Sequence, residues 1–354
     1  MNNGYIILSV DYELFGNGSG DVVRHMIEPA WQLADMGRRL GVQFTFFVEI
    51  EEYLAFRKYR AALAEVLRYD PAALIEKQIA ELVRQGHDVQ LHLHPQWHSA
   101  EFRDGMWILD KTKNTVDELF KNQEDATRYI ADRKQTLEQL AHAAEPAFSV
   151  SAYRAGAFCA QPGDRLLRAL AANGILFDSS LVKGMFRNRY PRLDFRKAPK
   201  DLSYWRVSND VSSEETSGAV IEVPVFSRMG RRYSQLTLQR LKAKFSSQVP
   251  KDKKVELLQE LGVGINPLSV ILRLFEPVPI KLDFHNLSGS ALMRMVENAH
   301  QSDRAGQTPV HVAIGHTKEH YDTQEIERFI RMLQQARRYA VTTFTGLRSF
   351  FEMS

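Results

Sequence analysis

Cysteine is almost absent from this chain. Cys159 is the only one among 354 residues, so no disulfide can form within it, and that absence leans toward a reducing compartment. Long apolar runs are missing too: no stretch of about 18 uninterrupted apolar residues occurs, which argues against a membrane-spanning helix. Met1-Asn2-Asn3-Gly4 has no basic n-region and the apolar run Tyr5 to Val10 is too short for a secretion signal, so the sequence reads as cytoplasmic. Excess charge is scarce as well. Lys and Arg number 46 against 43 Asp and Glu, a net charge of +3 that makes no case for a nucleic-acid partner. It is compatible with an anionic substrate such as a nucleotide- or phosphate-linked sugar. There is no internal repeat and no low-complexity tract.

What is present is ordinary globular composition, 44% hydrophobic and 25% charged, at a length that suits one large α/β domain or two smaller ones. Short β-rich runs alternate with helical patterns. Tyr5 to Asp11 (YIILSVD) predicts a buried first strand, and apolar spacing over 26–40 predicts a helix stopped by Gly41. Gln43 to Glu49 predicts a second strand, followed by helices near 51–68 and 71–85, the latter opened by Asp70-Pro71. Asp88 to His94, Ser149 to Arg154 and Ile175 to Asp178 read as further strands, with helices near 123–143 and 162–173 around them. Val220 to Val225, Val310 to Gly315 and Tyr339 to Phe344 complete the set.

This rhythm argues for a parallel sheet with helices outside, and seven or eight such units suit a distorted (β/α) barrel better than an open sheet. The chain reads as one domain over residues 1–354, interrupted near 183–218 and 227–275. The first interruption is polar and reads as a surface excursion. The second contains a basic, helical-looking stretch from Arg228 to Lys244 and a loop from Gly262 to Pro267. Insertions of this kind either form a lid over an active-site face or are solvated decoration.

In a parallel barrel the chemistry sits at the C-terminal ends of the strands. Those ends carry Asp11-Tyr12-Glu13, then His92-Leu93-His94 with Pro95-Gln96-Trp97-His98, then Arg154-Ala155-Gly156, and late in the chain Gly315-His316-Thr317-Lys318. Residues two apart on a strand share a face, so Asp11 pairs with Glu13 and His92 with His94. Imidazoles plus a carboxylate with an open position suit a catalytic Zn²⁺, or another first-row divalent metal.

SVDYE (9–13), GHDVQLHLHP (86–95), YRAG (153–156) and IGHTK (314–318) resemble, in order, the motifs of the polysaccharide deacetylase family (carbohydrate esterase family 4, the NodB-type homology domain). DYELFGNGSG (11–20) with QLHLHPQW (90–97) resembles the branch encoded with lipopolysaccharide and O-antigen synthesis. The resemblance implies a distorted barrel and a metal-dependent hydrolysis of N-acetyl, less often formyl, groups on amino sugars.

It also implies roles. Asp11 matches the base and Glu13 a metal ligand. Arg154 matches the arginine that orients the base, and His316 the late histidine that protonates the leaving amine. His92 matches the first histidine of an H-x-x-x-H pair, but Gln96 stands at the second position, leaving His94 or His98 as its replacement. The implied cofactor is a divalent metal, with Zn²⁺ foremost. The implied partner is an amino sugar or glycan, nucleotide- or lipid-linked, and an oligomer is allowed.

The remaining candidates have plainer readings. His87 faces away from His92 and reads as touching solvent or a helix end. Trp97 reads as packing, and Asp178-Ser179-Ser180 either touches the ligand or caps a turn. His285, His311 and His320 read as structural, His25 and His142 as surface residues. Cys159 reads as a buried thiol whose only basic neighbour is Arg154. Beside the N-deacetylase stand two other functions: a catalytically degraded barrel that binds a glycan or partner enzyme, and a metal-dependent amidohydrolase of a non-sugar amide.

Overall fold

The computed structural model describes residues 4–235, 237, 274–299, 306–319 and 322–353. Eleven strands matter for the site: β1 (Gly4–Tyr12), β2 (Thr45–Glu49), β3 (Asp88–Leu93), β4 (Ala152–Ala155), β5 (Phe177–Asp178), β6 (Trp205–Val207), β7 (Val220–Glu222), β8 (Ser227–Arg231), β9 (Pro277–Lys281), β10 (Val310–His316) and β11 (Tyr339–Thr342). Nine of them make one sheet in the order β6-β7-β5-β4-β3-β2-β1-β10, with β11 also on β1. All neighbours run parallel except β6, which lies antiparallel on β7. β11 pairs with Gly4 to Ile7 and β2 with Ser9 to Tyr12, so β1 shares one edge between two partners. Beyond β7 the chain returns toward β10: Val225 bridges both Val182 and Val312, and Phe226 N donates to Val312 O at 2.9 Å. The sheet therefore curls into a distorted, partly closed barrel.

Helices cover the outside: α1 (Glu28–Leu40), α2 (Ile50–Lys58), α3 (Arg60–Leu67), α4 (Pro71–Arg84), α5 (Gln123–His142), α6 (Asp164–Ala172), α7 (Gly289–Ala299), α8 (Thr323–Ala336) and α9 (Phe344–Met353). Their ends follow from local chemistry. Asp70 caps α4 by accepting from Ala73 N at 3.0 Å, with Pro71 at the first helical position, and Gly41 closes α1 at φ 66°. Among the described residues no helix is long and apolar enough to cross a membrane.

Strand parity sorts the core into two layers. Ile6, Leu8, Val10 and Tyr12 face the helices, with Phe46, Val48, Val89, Leu91 and Tyr153. Ile7, Phe47, Ala152, Phe177, Ile221 and Val312 face inward, and Phe344 and Leu347 of α9 close that inner cluster. Climbing the inner face, β1 passes from Ile7 through Ser9 to Asp11 and Glu13, all buried. The lower barrel is packed hydrocarbon and its upper end is ionisable.

Two readings of the insertions change. Within 183–218, Leu193, Phe195, Leu202, Trp205 and Val207 are buried and β6 joins the main sheet, so this segment is partly core. Residues 228–231 are not helical: they belong to β8, paired antiparallel with β9. The loop Gly262 to Pro267, nearly all of 236–244 and His320 lie outside the described residues.

Candidate metal centre

The strand ends of β1, β3, β4 and β10 bring Asp11, Glu13, His92, His94, Arg154 and His316 to one buried mouth. Glu13 Oε2 lies 2.8 Å from His94 Nε2 and 3.6 Å from His92 Nε2. His92 Nδ1 lies 2.9 Å from Arg154 O, and a proton on Nδ1 donated to that carbonyl leaves Nε2 as a lone-pair donor. Among the described residues neither Nε2 has a partner in hydrogen-bond geometry other than this close approach to Glu13, although both are buried. Buried polar atoms without partners are costly, and two imidazole nitrogens converging on one carboxylate oxygen are the donor set a divalent cation satisfies. The residues fit a metal. Among the described residues, Glu13, His92 and His94 form a wholly buried group able to hold one, and Asp11, Glu13 and His316 form an adjoining group.

His94, and not His98, stands with His92. Pro95 to Trp97 makes a tight helical turn that carries His98 away over α5. There its Nδ1 lies 3.2 Å from Arg133 Nη2 and 3.6 Å from Glu51 Oε1, with 36% of the side chain exposed against 10% for His94. The reading of His98 as a ligand is corrected by that turn. Gln96 donates to Gly16 O at 2.7 Å, tying down the loop after β1. Gly156 explains part of YRAG: a Cβ there would sit 2.5 Å from the His94 ring. Gly315 plays the same part in IGHTK, where a Cβ would lie 2.1 Å from Phe284 and 2.5 Å from His285.

Beside this group, Arg154 Nη1 donates to Asp11 Oδ1 at 2.6 Å. The guanidinium is fully buried, and its other donors reach Ser9 Oγ (3.0 Å), Ser179 Oγ (3.1 Å) and Ser179 O (3.1 Å), with the Phe47 ring 4.0 Å away. Burial opposes charge on Asp11, yet Arg154, His92 and His316 hold its carboxyl below the ordinary value. Glu13 is held well below its own by Lys318 and the two histidines, again against burial. His316 Nε2 stands 3.4 Å from Asp11 Oδ2, and burial lowers the pKa of its imidazole despite Glu319 and Asp11. Asp11 thus sits between the Arg154 guanidinium and the His316 imidazole.

Other residues entered the neighbourhood unannounced. His285 was assigned no partner, but its Nδ1 lies 3.6 Å from Asp283 and 3.8 Å from Glu319, and it joins His316 and Glu319 as a further potential ligand group. The signal was the β-rich run Pro277 to Lys281, ahead of Asp283-Phe284-His285, which was not read as a strand. Glu49 caps α2 through Glu51 N and Glu52 N and accepts from His94 N at 2.8 Å. Asp178-Ser179-Ser180 neither caps a turn nor borders the ligand group. It stands behind Arg154, with Ser180 Oγ accepting from Ala155 N at 2.8 Å and donating to Asp178 Oδ1.

Several plainer readings change too. His87 is buried and accepts from Phe44 N at 3.0 Å against α1, away from solvent. His25 is buried beside Asp21, not at the surface. Cys159 is a buried thiol, as read, but its basic neighbour is Arg187, 3.1 Å from Sγ, and burial raises its pKa. Trp97 packs against Phe56 and Trp107.

No protein-family model and no curated protein matches the sequence. Solved structures do. One described as a polysaccharide deacetylase from Mycobacterium smegmatis matches at TM-score 0.50 and 12% identity, covering 99% of this chain and 90% of that one. A 4-α-glucanotransferase from Thermococcus litoralis matches at TM-score 0.49 and 10% identity over 99% of this chain and 40% of that one. A family 4 carbohydrate esterase from Streptomyces lividans, solved with acetate, matches at TM-score 0.39 and 10% identity, covering 97% and 93%. At 12% identity the first of these likenesses speaks for the fold alone: a curled, mostly parallel barrel like that of the Mycobacterium smegmatis structure.

Proposed function

We propose that this chain is a metal-dependent hydrolase that removes an N-acyl group, acetyl foremost, from an amino sugar. The observation that carries the reading is one buried mouth holding two distinct sets: Glu13, His92 and His94 with two imidazole nitrogens converging on one carboxylate oxygen, and Asp11 clamped by Arg154 beside His316. Glu13, His92 and His94 would hold the divalent ion, which when bound supplies Lewis acidity toward the acyl carbonyl. Zn²⁺ suits two imidazoles and a carboxylate.

The chain's own residues manage the protons. Asp11 takes a proton from the attacking water as its oxygen bonds to the acyl carbon, and Arg154 keeps that carboxylate ionised and aimed. The proton then has a 3.4 Å path from Asp11 Oδ2 to His316 Nε2. His316 delivers it to the nitrogen as the C–N bond breaks, giving a carboxylic acid and a free amine. The sequence likeness to the O-antigen branch supports a precursor of a surface polysaccharide as the substrate, carried on a nucleotide or lipid.

The test is Asp11→Asn assayed for acetate release from N-acetylated amino sugars, with metal content measured on the same preparation. Turnover should fall by about 10²- to 10⁴-fold while metal stays bound. Retained turnover removes Asp11 as base. A wild type that binds no metal replaces the enzyme with a glycan-binding barrel.

A further inference from the structure

Lys318 closes the IGHTK motif, and none of the steps above uses it. Its placement follows from the backbone. Asp11 and His316 are register partners, and Thr317 staples the two strand ends together: its N–H donates to Asp11 O at 2.9 Å, and its hydroxyl accepts from Glu13 N at 3.2 Å. Side chains at 316 and 318 therefore fall on one side, His316 over Asp11 and Lys318 over Glu13. Lys318 Nζ donates to Glu13 Oε1 at 2.6 Å, while Glu13 Oε2 is the oxygen turned to His94 and His92. Both ion-pair partners are shielded, with 15% and 4% of their side chains exposed. Next along β1, Leu14 N donates to both oxygens of Glu52, at 3.2 and 2.9 Å, which pins the strand just past Glu13.

We propose that Lys318 is a positioning residue that saturates one oxygen of Glu13, so that Glu13 meets a divalent cation through Oε2 alone. The inference rests on the reading that Glu13, His92 and His94 hold such an ion. A carboxylate can grip a cation through one oxygen or two. Two-oxygen binding suits hard ions with six to eight ligands, whereas one oxygen with two imidazoles suits a four-coordinate site with a position left for substrate. By occupying Oε1, the ammonium selects the second arrangement.

The test uses the full-length protein and Co²⁺, whose visible absorption is intense when four-coordinate and weak at higher coordination. Zn²⁺ affinity, read by competition with a chromophoric chelator, is the second measurement. The wild type should bind one Co²⁺ with the intense spectrum. Lys318→Met should lose about 10- to 100-fold in Zn²⁺ affinity, and its Co²⁺ absorption should weaken. Lys318→Arg, which can still donate to Oε1, should restore the spectrum. Should Lys318→Met not fold, Lys318→Ala, which also lacks a donor, carries the same expectation in its place. A neutral variant with wild-type affinity and spectrum would overturn the role of Lys318 alone. A wild type that binds no Co²⁺ or Zn²⁺ would overturn the metal centre itself, so the two failures are distinguishable.

Discussion

Two pairs of buried carboxyls sit at strand ends of this barrel, and their pKa values are pushed in opposite directions. Asp11 and Glu13 are each met by a cation, Arg154 at 2.6 Å and Lys318 at 2.6 Å, and both carboxyls are held below their ordinary pKa. Asp178 and Glu222 are register partners on β5 and β7, and among the described residues neither forms an ion pair with a cation. Burial pushes Asp178 up to about 6 and Glu222 well above its usual value. One oxygen of each, Asp178 Oδ2 and Glu222 Oε2, has no other hydrogen-bond partner, which a proton shared between the two carboxyls would account for. Desolvation acts on all four acids alike. The partner decides the direction of each shift, and the pair held low is the one placed to serve as base and ligand.

Removing the cation is the strongest way to break this contrast. Arg154→Met leaves Asp11 buried with its main counter-charge gone. We expect a loss of about 3–5 kcal/mol in stability, measured by denaturant unfolding, because an unpaired buried charge remains. Turnover should fall by about 10²- to 10⁴-fold as the base loses its clamp and its aim. Metal content should hold, since His92 is oriented by the backbone carbonyl of residue 154, which the substitution keeps. Wild-type turnover in this variant would separate Arg154 from the base.

The pair with raised pKa values offers a smaller effect with a defined sign. The folded-state pKa of Asp178, about 6, lies above the ordinary aspartate value of 3.8, so the folded protein binds more protons than the unfolded chain between those values. That contribution is complete below the lower value and is lost as pH rises through the higher one, by at most about 1.4 kcal/mol per pH unit. Asp178→Asn should therefore flatten the stability–pH curve between about pH 4 and pH 6 relative to wild type, read from urea midpoints across that range. Superimposable slopes would show that Asp178 is already ionised in the folded state.

Legibility in the sequence followed the same division. The buried strands β1, β2, β3 and β10 were readable because apolar, β-branched runs ended by turn residues have few other solutions, and parity then placed Asp11 with Glu13 and His92 with His94. Contacts made across the barrel were not readable. Nothing local in Asp283-Phe284-His285 reveals Glu319, and nothing in Lys318 reveals Glu13, because both depend on how far the sheet curls. β6 was hidden by its polar neighbourhood, and β8 by basic residues that suit a solvated helix as well as an antiparallel edge. His98 failed for a nearer reason: spacing alone does not say that Pro95 begins a turn.

His98 also supplies the finest test of the comparison. Glu51, His98 and Arg133 repeat the ingredients of the centre, a buried acid with an imidazole and a cation: Arg133 Nε donates to Glu51 Oε1 at 2.7 Å. What they lack is a second imidazole on the same oxygen and enclosure of the first, and no potential ligand group forms there among the described residues. His98→Ala should leave Zn²⁺ stoichiometry and affinity unchanged and shift stability by no more than about 0.5 kcal/mol, as for other partly exposed positions. His94→Ala, measured alongside, should lose the metal. If the two variants behaved the other way round, the cation would lie over α5, and the pairing of Glu13 with Lys318 would be an ion pair with no ligand role.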